Sequence, residues 1–392
     1  MDNLGKLREM HNDSKKEPIG FNKPFMTGNE LQYIMDAVKS GKISGDGEFT
    51  KKCHLFFENR YKFKKTLLTT SCTDALELSA LLLNLGPGDE IIAPSFTFVS
   101  TVNAFLLRGV KIVFVDSTSE NPNMDPSLLE ELINENTKAI IPVHYAGIAC
   151  EMDTIMALAK KYGLYVIEDA AQAIDSYYKG KPLGGIGQMG AFSFHETKNV
   201  ISGEGGMLVL NDLEFADRAE VIREKGTNRS AFFRGEVDKY GWVDVGSSFL
   251  PSDLIAAFLF AQLENINAIQ QRRLEIWNSY NEKLSKLEKA GKIKLPVIPE
   301  YASNNGHMFY LTCENLDERT RLVEKLKKEN INAVFHYISL HSSKFYAEKH
   351  DGRILKWSDY YTDSLVRLPF FYELKDESID RIVQAITSFY ED

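Results

Sequence analysis

From Pro18 to about Asp253 the chain alternates short apolar, often β-branched runs with longer helical stretches. The short runs are Thr66–Thr69, Glu90–Ala93, Lys111–Val115, Ala139–Val143 and Tyr165–Glu168, and they predict strands. Between them, Asp74–Leu83, Thr101–Leu107, Pro126–Asn134 and Asp153–Tyr162 predict helices. Apolar strands that alternate with helices imply a mainly parallel sheet covered on both faces. After Ser252 the texture changes. Leu254–Glu288 carries Leu, Ile and Ala at three- and four-residue spacing and predicts a long helical region. Beyond Ile293, short alternating segments (Met308–Thr312, Ala333–Tyr337) mix with a helical stretch over Glu318–Lys328. The expected organisation is an arm over residues 1–17, a large α/β domain over 18–253 and a smaller α+β C-terminal domain over 254–392.

Charge and composition remove several function classes. The formal net charge is −9, with no basic stripe of the kind that follows a phosphate backbone, so no nucleic-acid partner is expected. The longest apolar run, about Leu254–Ala261, falls well short of the roughly 20 residues that span a bilayer. Met1–Lys16 is polar and charged, unlike a signal peptide. Cys53, Cys72, Cys150 and Cys313 are widely spaced and form no CxxC pair, which points to reduced thiols in the cytoplasm. No membrane partner is expected.

Three segments carry candidate chemistry. The strand Tyr165–Glu168 runs into Asp169-Ala170-Ala171-Gln172. A carboxylate there either meets a ligand, because open α/β sheets bind ligands beyond the carboxyl ends of their strands, or caps the next helix. Gly190–Asn199 is a second apolar strand leading to a loop with a lone lysine, Lys198, followed by Ser202-Gly203-Glu204-Gly205-Gly206. A lysine at such an edge is either a reachable nucleophile or a solvated surface charge. Ser193 offers a hydroxyl nearby, and the glycine pair permits a tight turn or close backbone approach. In Thr69-Thr70-Ser71-Cys72-Thr73-Asp74 a strand gives way to small hydroxyl residues at a helix start, which is a phosphate site or a plain N-cap. Phe96 and Phe98 follow another strand, to stack on a ring or to pack in the core. His144, His195, His307, His336 and His341 form no metal-ligand spacing, so no metal is expected.

Together, Asp-Ala-Ala-Gln, Ser-Phe-His-x-x-Lys-Asn, Gly-Glu-Gly-Gly and Ser-x-Thr-x-Ala-Leu resemble, in order and spacing, the DegT-type nucleotide-sugar aminotransferases, from about Ile19 to the C-terminus. The resemblance implies the type I pyridoxal-phosphate (PLP) aminotransferase fold and a homodimer with shared active sites. It implies that Lys198 binds PLP covalently, Asp169 pairs with the pyridine nitrogen and Gln172 contacts the ring oxygen. Ser193, Cys72 and Thr73 would hold the phosphate, with Phe98 stacked on the ring. His195, Arg229, Arg234, His307 and His336 would meet substrate. Many relatives have Gly-x-Asn where this chain has Gly246-Ser247-Ser248; Ser248 would then replace an Asn that reaches the partner's phosphate. Pro142–Gly147, Glu151–Lys161 and Arg223–Ser230 look most like the branch that uses L-glutamate to aminate C4 of dTDP-4-keto-6-deoxyglucose with galacto stereochemistry. Dehydratases on the same fold commonly replace the lysine with His, so Lys198 favours amino transfer. A regulator would need neither Lys198 nor Asp169.

Overall fold

A computed structural model describes residues 17–391; the arm expected over 1–17 lies outside the described residues save for Glu17. The strands are β1 (Lys65–Thr69), β2 (Glu90–Pro94), β3 (Lys111–Val115), β4 (Thr137–Ile140), β5 (Tyr165–Asp169), β6 (Tyr177–Tyr178), β7 (Lys181–Pro182), β8 (Met189–Ser193), β9 (Gly206–Leu210), β10 (Tyr310–Thr312), β11 (Val334–Phe335) and β12 (Leu365–Arg367). A seven-stranded sheet runs in the order β1-β9-β8-β5-β4-β2-β3. Its neighbours pair in parallel, except that β9 lies antiparallel to both β8 and β1.

Successive side chains on these strands point to opposite faces, and each face has its own core. Leu68, Ile92, Val113, Val166, Phe192 and Val209 join one core with helices Glu48–Tyr61, Met152–Tyr162 and Asp253–Glu264. Leu67, Ile91, Phe114, Ile167, Ala191 and Leu208 join the other with helices Cys72–Leu82, Ser100–Leu106 and Ala216–Arg223. Burial on both faces is why these strands read as continuous apolar runs. Each fully buried aliphatic side chain contributes roughly 1.5–3 kcal/mol.

The C-terminal region forms a three-stranded antiparallel sheet in the order β10-β12-β11, with a core of its own that includes Ile276, Phe309, Leu322 and Ile382. A small aromatic cluster ties this sheet to the larger one. Phe96, Tyr145, Tyr310 and Tyr361 pack together there, with ring centroids of Phe96 and Tyr145 5.5 Å apart.

The sequence expectations differ from the structure in particular places. The expected long helical region is present as two helices, Asp253–Glu264 and Ile266–Lys289, broken at Asn265. The Asn265 side chain donates to the Ala261 carbonyl and so competes with the helix's own bonds. The strand expected to reach Val143 ends at Ile140, because Pro142 has no N–H to continue the ladder. Pro126–Asn134 holds only a 3₁₀ turn and one short helix. The strand β9 carries no strand expectation in the sequence, because the Gly205-Gly206 pair that leads into it suits either a tight turn or a close backbone approach.

Gly206 opens β9 against the Ser71–Cys72 turn. A Cβ there would lie 2.2 Å from the Ser71 carbonyl carbon, and backbone cannot yield as a flexible side chain can. Gly206→Ala is expected to lower stability by about 1–3 kcal/mol, read as a fall in urea midpoint at unchanged slope. An unaltered midpoint would contradict this packing.

Candidate active site

Strands β1, β2, β4, β5 and β8 run the same way, so their carboxyl ends gather at one edge. That edge opens into a cavity of about 620 Å³. It is lined by Lys198, Asp169, Gln172, Ser193, Cys72, Thr73, Phe98, His195, His307 and His336. Residues distant in sequence therefore share one site.

Asp169 ends β5 with its side chain turned to the cavity. Its Oδ2 accepts the Thr101 hydroxyl at 2.7 Å and its Oδ1 accepts the Ala171 N–H at 3.1 Å. Burial pushes its carboxyl above the ordinary range, partly offset by those hydrogen bonds and by Lys198 and His144. A cation beside it would restore the charged form.

Lys198 sits in a turn closed by its N–H on the His195 carbonyl, 2.9 Å away. The next residue anchors it: Asn199 Nδ2 donates to Gln270 Oε1 and to the Asn305 carbonyl. Burial lowers the Lys198 amine below its usual value, Cys72 and Asp169 oppose this, and Arg367 adds to it. Lys198 and Asp169 both line the cavity and feel each other electrostatically, and no ion pair joins them.

The helix Cys72–Leu82 points its N-terminus into the cavity. Ser71 caps it by accepting the Asp74 N–H, while the Cys72 and Thr73 N–H groups have no protein acceptor among the described residues. Free N–H groups at a helix N-terminus suit a phosphate. The Cys72 thiol is pushed up by burial and stays protonated. Phe98 is 55% exposed and available to stack, whereas Phe96 at 1% belongs to the core.

His307 Nδ1 donates to Asn199 Oδ1 at 2.8 Å, and His336 Nδ1 lies 2.9 Å from the Tyr145 hydroxyl. Burial and nearby cations push both imidazoles well below their ordinary range, so both are neutral at pH 7. His195 is less enclosed, 3.0 Å from Thr197 Oγ1. Gln172 accepts the Ala146 N–H and donates to the Tyr337 hydroxyl. No cluster of His, Cys, Asp or Glu able to hold a metal occurs among the described residues.

Three of the expected residues lie elsewhere. Arg229 pairs with Glu224 at 3.2 Å, and Arg234 with Glu220 and Glu236, each at 2.7 Å. Both line a second cleft of about 880 Å³. Ser248 is exposed on the turn bridged to Glu224, outside the cavity. Conversely, Thr101 and Arg367 line the cavity without a signal in the sequence, while Tyr337 lines it beside His336. The contact between Thr101 and Asp169 spans 68 positions, so no local pattern announces it.

Residues 24–387 match the family described as the DegT/DnrJ/EryC1/StrS aminotransferase family. An uncharacterized protein of Methanocaldococcus jannaschii is 36% identical, covering 93% of this chain and 95% of its own. The UDP-4-amino-4-deoxy-L-arabinose–oxoglutarate aminotransferase of Shewanella sediminis is 32% identical, covering 93% and 96%. Among solved structures, S. venezuelae DesV superposes with a TM-score of 0.87 at 27% identity, covering 96% of this chain and 100% of its own. A Streptococcus pneumoniae protein solved in its PMP form superposes with a TM-score of 0.87 at 28% identity, covering 95% and 99%.

The lowered amine of Lys198 has a direct readout. In competitive acetylation of the apoprotein across pH, Lys198 should reach half its full reactivity below the ordinary lysine value of 10.5. The sign follows from burial, which disfavours the charged form and leaves more neutral, nucleophilic amine at lower pH. A profile that coincides with those of exposed lysines would contradict it.

Proposed function

The chain belongs to the DegT/DnrJ/EryC1/StrS aminotransferase family and has the type I PLP fold, and we propose that it moves an amino group from L-glutamate to C4 of a 4-keto-6-deoxy nucleotide sugar. A PLP-dependent sugar aminotransferase is the premise; the donor, the position and the sugar are the proposal. The observation that carries it is the lining of one cavity by the Lys198 amine, the Asp169 carboxyl and an open helix N-terminus.

The donor set fits PLP. Its phosphate suits the Cys72 and Thr73 N–H groups with the Ser193 hydroxyl, its ring nitrogen suits Asp169, its ring oxygen suits Gln172, and its carbonyl suits the Lys198 amine. Phe98 offers a face for stacking. When bound, the coenzyme supplies an electron sink for the carbanion formed at Cα of the amino acid.

Asp169 holds a proton on the ring nitrogen, since a buried carboxylate strongly favours a cation beside it. Thr101 and the Ala171 N–H keep that carboxylate aimed. Lys198 Nζ, whose hold on a proton burial weakens, would take the donor's Cα proton as general base and hold it for return as general acid. The same amine acts in reverse when the sugar's C4 receives nitrogen. Neutral His307 and His336 offer hydrogen bonds to the sugar without adding charge.

The Shewanella relative, named for oxoglutarate and a 4-amino sugar, supports glutamate as donor and C4 as the position. The choice of dTDP-4-keto-6-deoxyglucose and of the galacto product rests on the resemblance of Pro142–Gly147, Glu151–Lys161 and Arg223–Ser230 to that branch. We place the enzyme in the cytoplasm, a reading supported by its four free cysteines. Among the described residues, no helix is long and apolar enough to cross a membrane.

A homodimer is part of the same proposal. Phe233, Tyr240, Trp242, Val243 and Val245 are all exposed, with Trp242 at 83%, in the segment that carries Arg229, Arg234 and Ser248. Contiguous exposed apolar groups mark an interaction surface. Through it the two arginines and Ser248 would reach the partner's site. Mixing Lys198→Ala with Arg229→Ala/Arg234→Ala chains should then restore activity in hybrids, and a fully active monomer would exclude sharing.

Borohydride reduction of the holoenzyme followed by peptide mapping is expected to place the coenzyme on Lys198; a label on another lysine would remove the assignment. Lys198→Ala should show no turnover, and Asp169→Asn should lower kcat by at least about 100-fold. Assay against a panel of keto-sugar nucleotides, with NMR of the product, tests the rest. A large H3–H4 coupling in the product would replace galacto with gluco stereochemistry.

A further inference from the structure

Asn199 follows Lys198 and hydrogen-bonds to His307, 108 positions away, which ties the lysine's loop to the chain entering β10. Both side chains are buried, each residue at 4% exposure. The directions of the bonds around them are set by backbone carbonyls, which only accept. Asn305 Nδ2 donates to the Gln172 and Ile174 carbonyls, each at 2.8 Å. Its Oδ1 is therefore the atom that accepts the His307 N–H, at 3.0 Å. Asn199 Nδ2 donates to the Asn305 carbonyl at 2.9 Å and to Gln270 Oε1 at 2.8 Å, so its Oδ1 is the atom facing His307 Nδ1. That ring nitrogen carries the proton, because an amide oxygen has none to give. Arg273 holds the other side of the residue, donating to the His307 carbonyl at 2.6 Å.

The consequence falls on Nε2. A neutral imidazole with its proton on Nδ1 presents a bare lone pair at Nε2. His307 lines the cavity with Lys198, and its Nε2 has no partner among the described residues. A second ring proton is opposed by burial and by Lys198, Arg273, Arg367 and His336 around it. Nε2 is thus an acceptor and not a donor. Of the groups that the proposed reaction brings here, ketone, carboxylate and phosphate oxygens are acceptors too, and offer it no proton. The amino nitrogen of the donor is taken up in the transfer itself. A sugar hydroxyl remains, and the tie to the Lys198 loop places it beside the carbon that receives nitrogen.

We propose that Asn199 is a positioning residue that locks the His307 proton on Nδ1, so that Nε2 accepts the C3 hydroxyl of the sugar and selects sugars that carry it. This rests on the sugar-aminotransferase reading of the same cavity. It adds the hydroxyl that is read and the residue that sets the polarity of its reader.

The test has two readouts. In holoenzyme carrying nitrogen-15 histidine, long-range proton–nitrogen correlation spectra show which ring nitrogen bears the proton. The His307 signals are those missing from His307→Phe. Wild type at pH 7 should show the Nδ1–H form, and Asn199→Leu should move it toward the Nε2–H form. The second readout is the ratio of kcat/KM for dTDP-4-keto-6-deoxyglucose to that for its 3-deoxy analogue. Wild type should prefer the hydroxylated sugar by about 10-fold. His307→Phe and Asn199→Leu should bring that ratio to within about twofold of unity. His307→Gln, whose amide oxygen also accepts, should recover part of the preference. A side chain that only supports the fold would lower both values together and keep the wild-type ratio, and that result would overturn the proposal. So would an Nε2–H form of His307 in wild type, or an Asn199→Leu protein with the wild-type tautomer. If wild type turns over neither sugar, the reading of the sugar fails, and the tautomers of wild type and Asn199→Leu still decide whether Asn199 sets the polarity of His307.

Discussion

Lys198 and Asp169 share a desolvated cavity without bridging to each other, and burial drives each toward its neutral form. Had they paired, the amine would be held charged and the carboxylate occupied, and neither would be free for a ligand. Much of the surrounding structure enforces that separation. Thr101 and the Ala171 N–H fix one group, and the Asn199–Gln270–Asn305 network fixes the backbone beside the other.

Glu168 and Asp169 illustrate how strand geometry divides labour between adjacent acids. Successive residues of β5 face opposite ways. Glu168 turns into the protein and accepts the Gly184, Ile186 and Gly187 N–H groups. His144 completes the set: its Nδ1 accepts the Cys150 N–H at 3.2 Å, so Nε2 donates to Glu168 at 3.0 Å. A wholly buried carboxylate with four donors is satisfied and structural. Asp169, one position on, keeps capacity for a ligand because only two donors reach it.

The small sheet completes what the large one begins. The large sheet supplies the groups that suit the coenzyme, at the ends of β1, β5 and β8. His307, His336, Tyr337 and Arg367 arrive from the region around β10, β11 and β12, held against it by the Phe96–Tyr145 aromatic cluster. Residues carried by both sheets thus line the one cavity.

Strand and helix periodicity, with the order of the Asp-Ala-Ala-Gln, Ser-Phe-His-x-x-Lys and Ser-x-Thr-x-Ala-Leu motifs, was enough to read the layered α/β fold and to single out Lys198, Asp169, Ser193, Cys72 and Thr73. Both are local signals: burial on two faces makes a strand uniformly apolar, and parallel strands bring their carboxyl ends to one edge. The antiparallel β9 escaped because a five-residue run led by glycine has the same local appearance as a turn. The break at Asn265 escaped because helical spacing continues through it. Tertiary structure alone decided that Arg229 and Arg234 pair with Glu224, Glu220 and Glu236 away from the cavity, while Arg367 stands in it unpaired. One arginine reads like another along the chain; its role depends on which acids folding brings within reach and how much water it leaves.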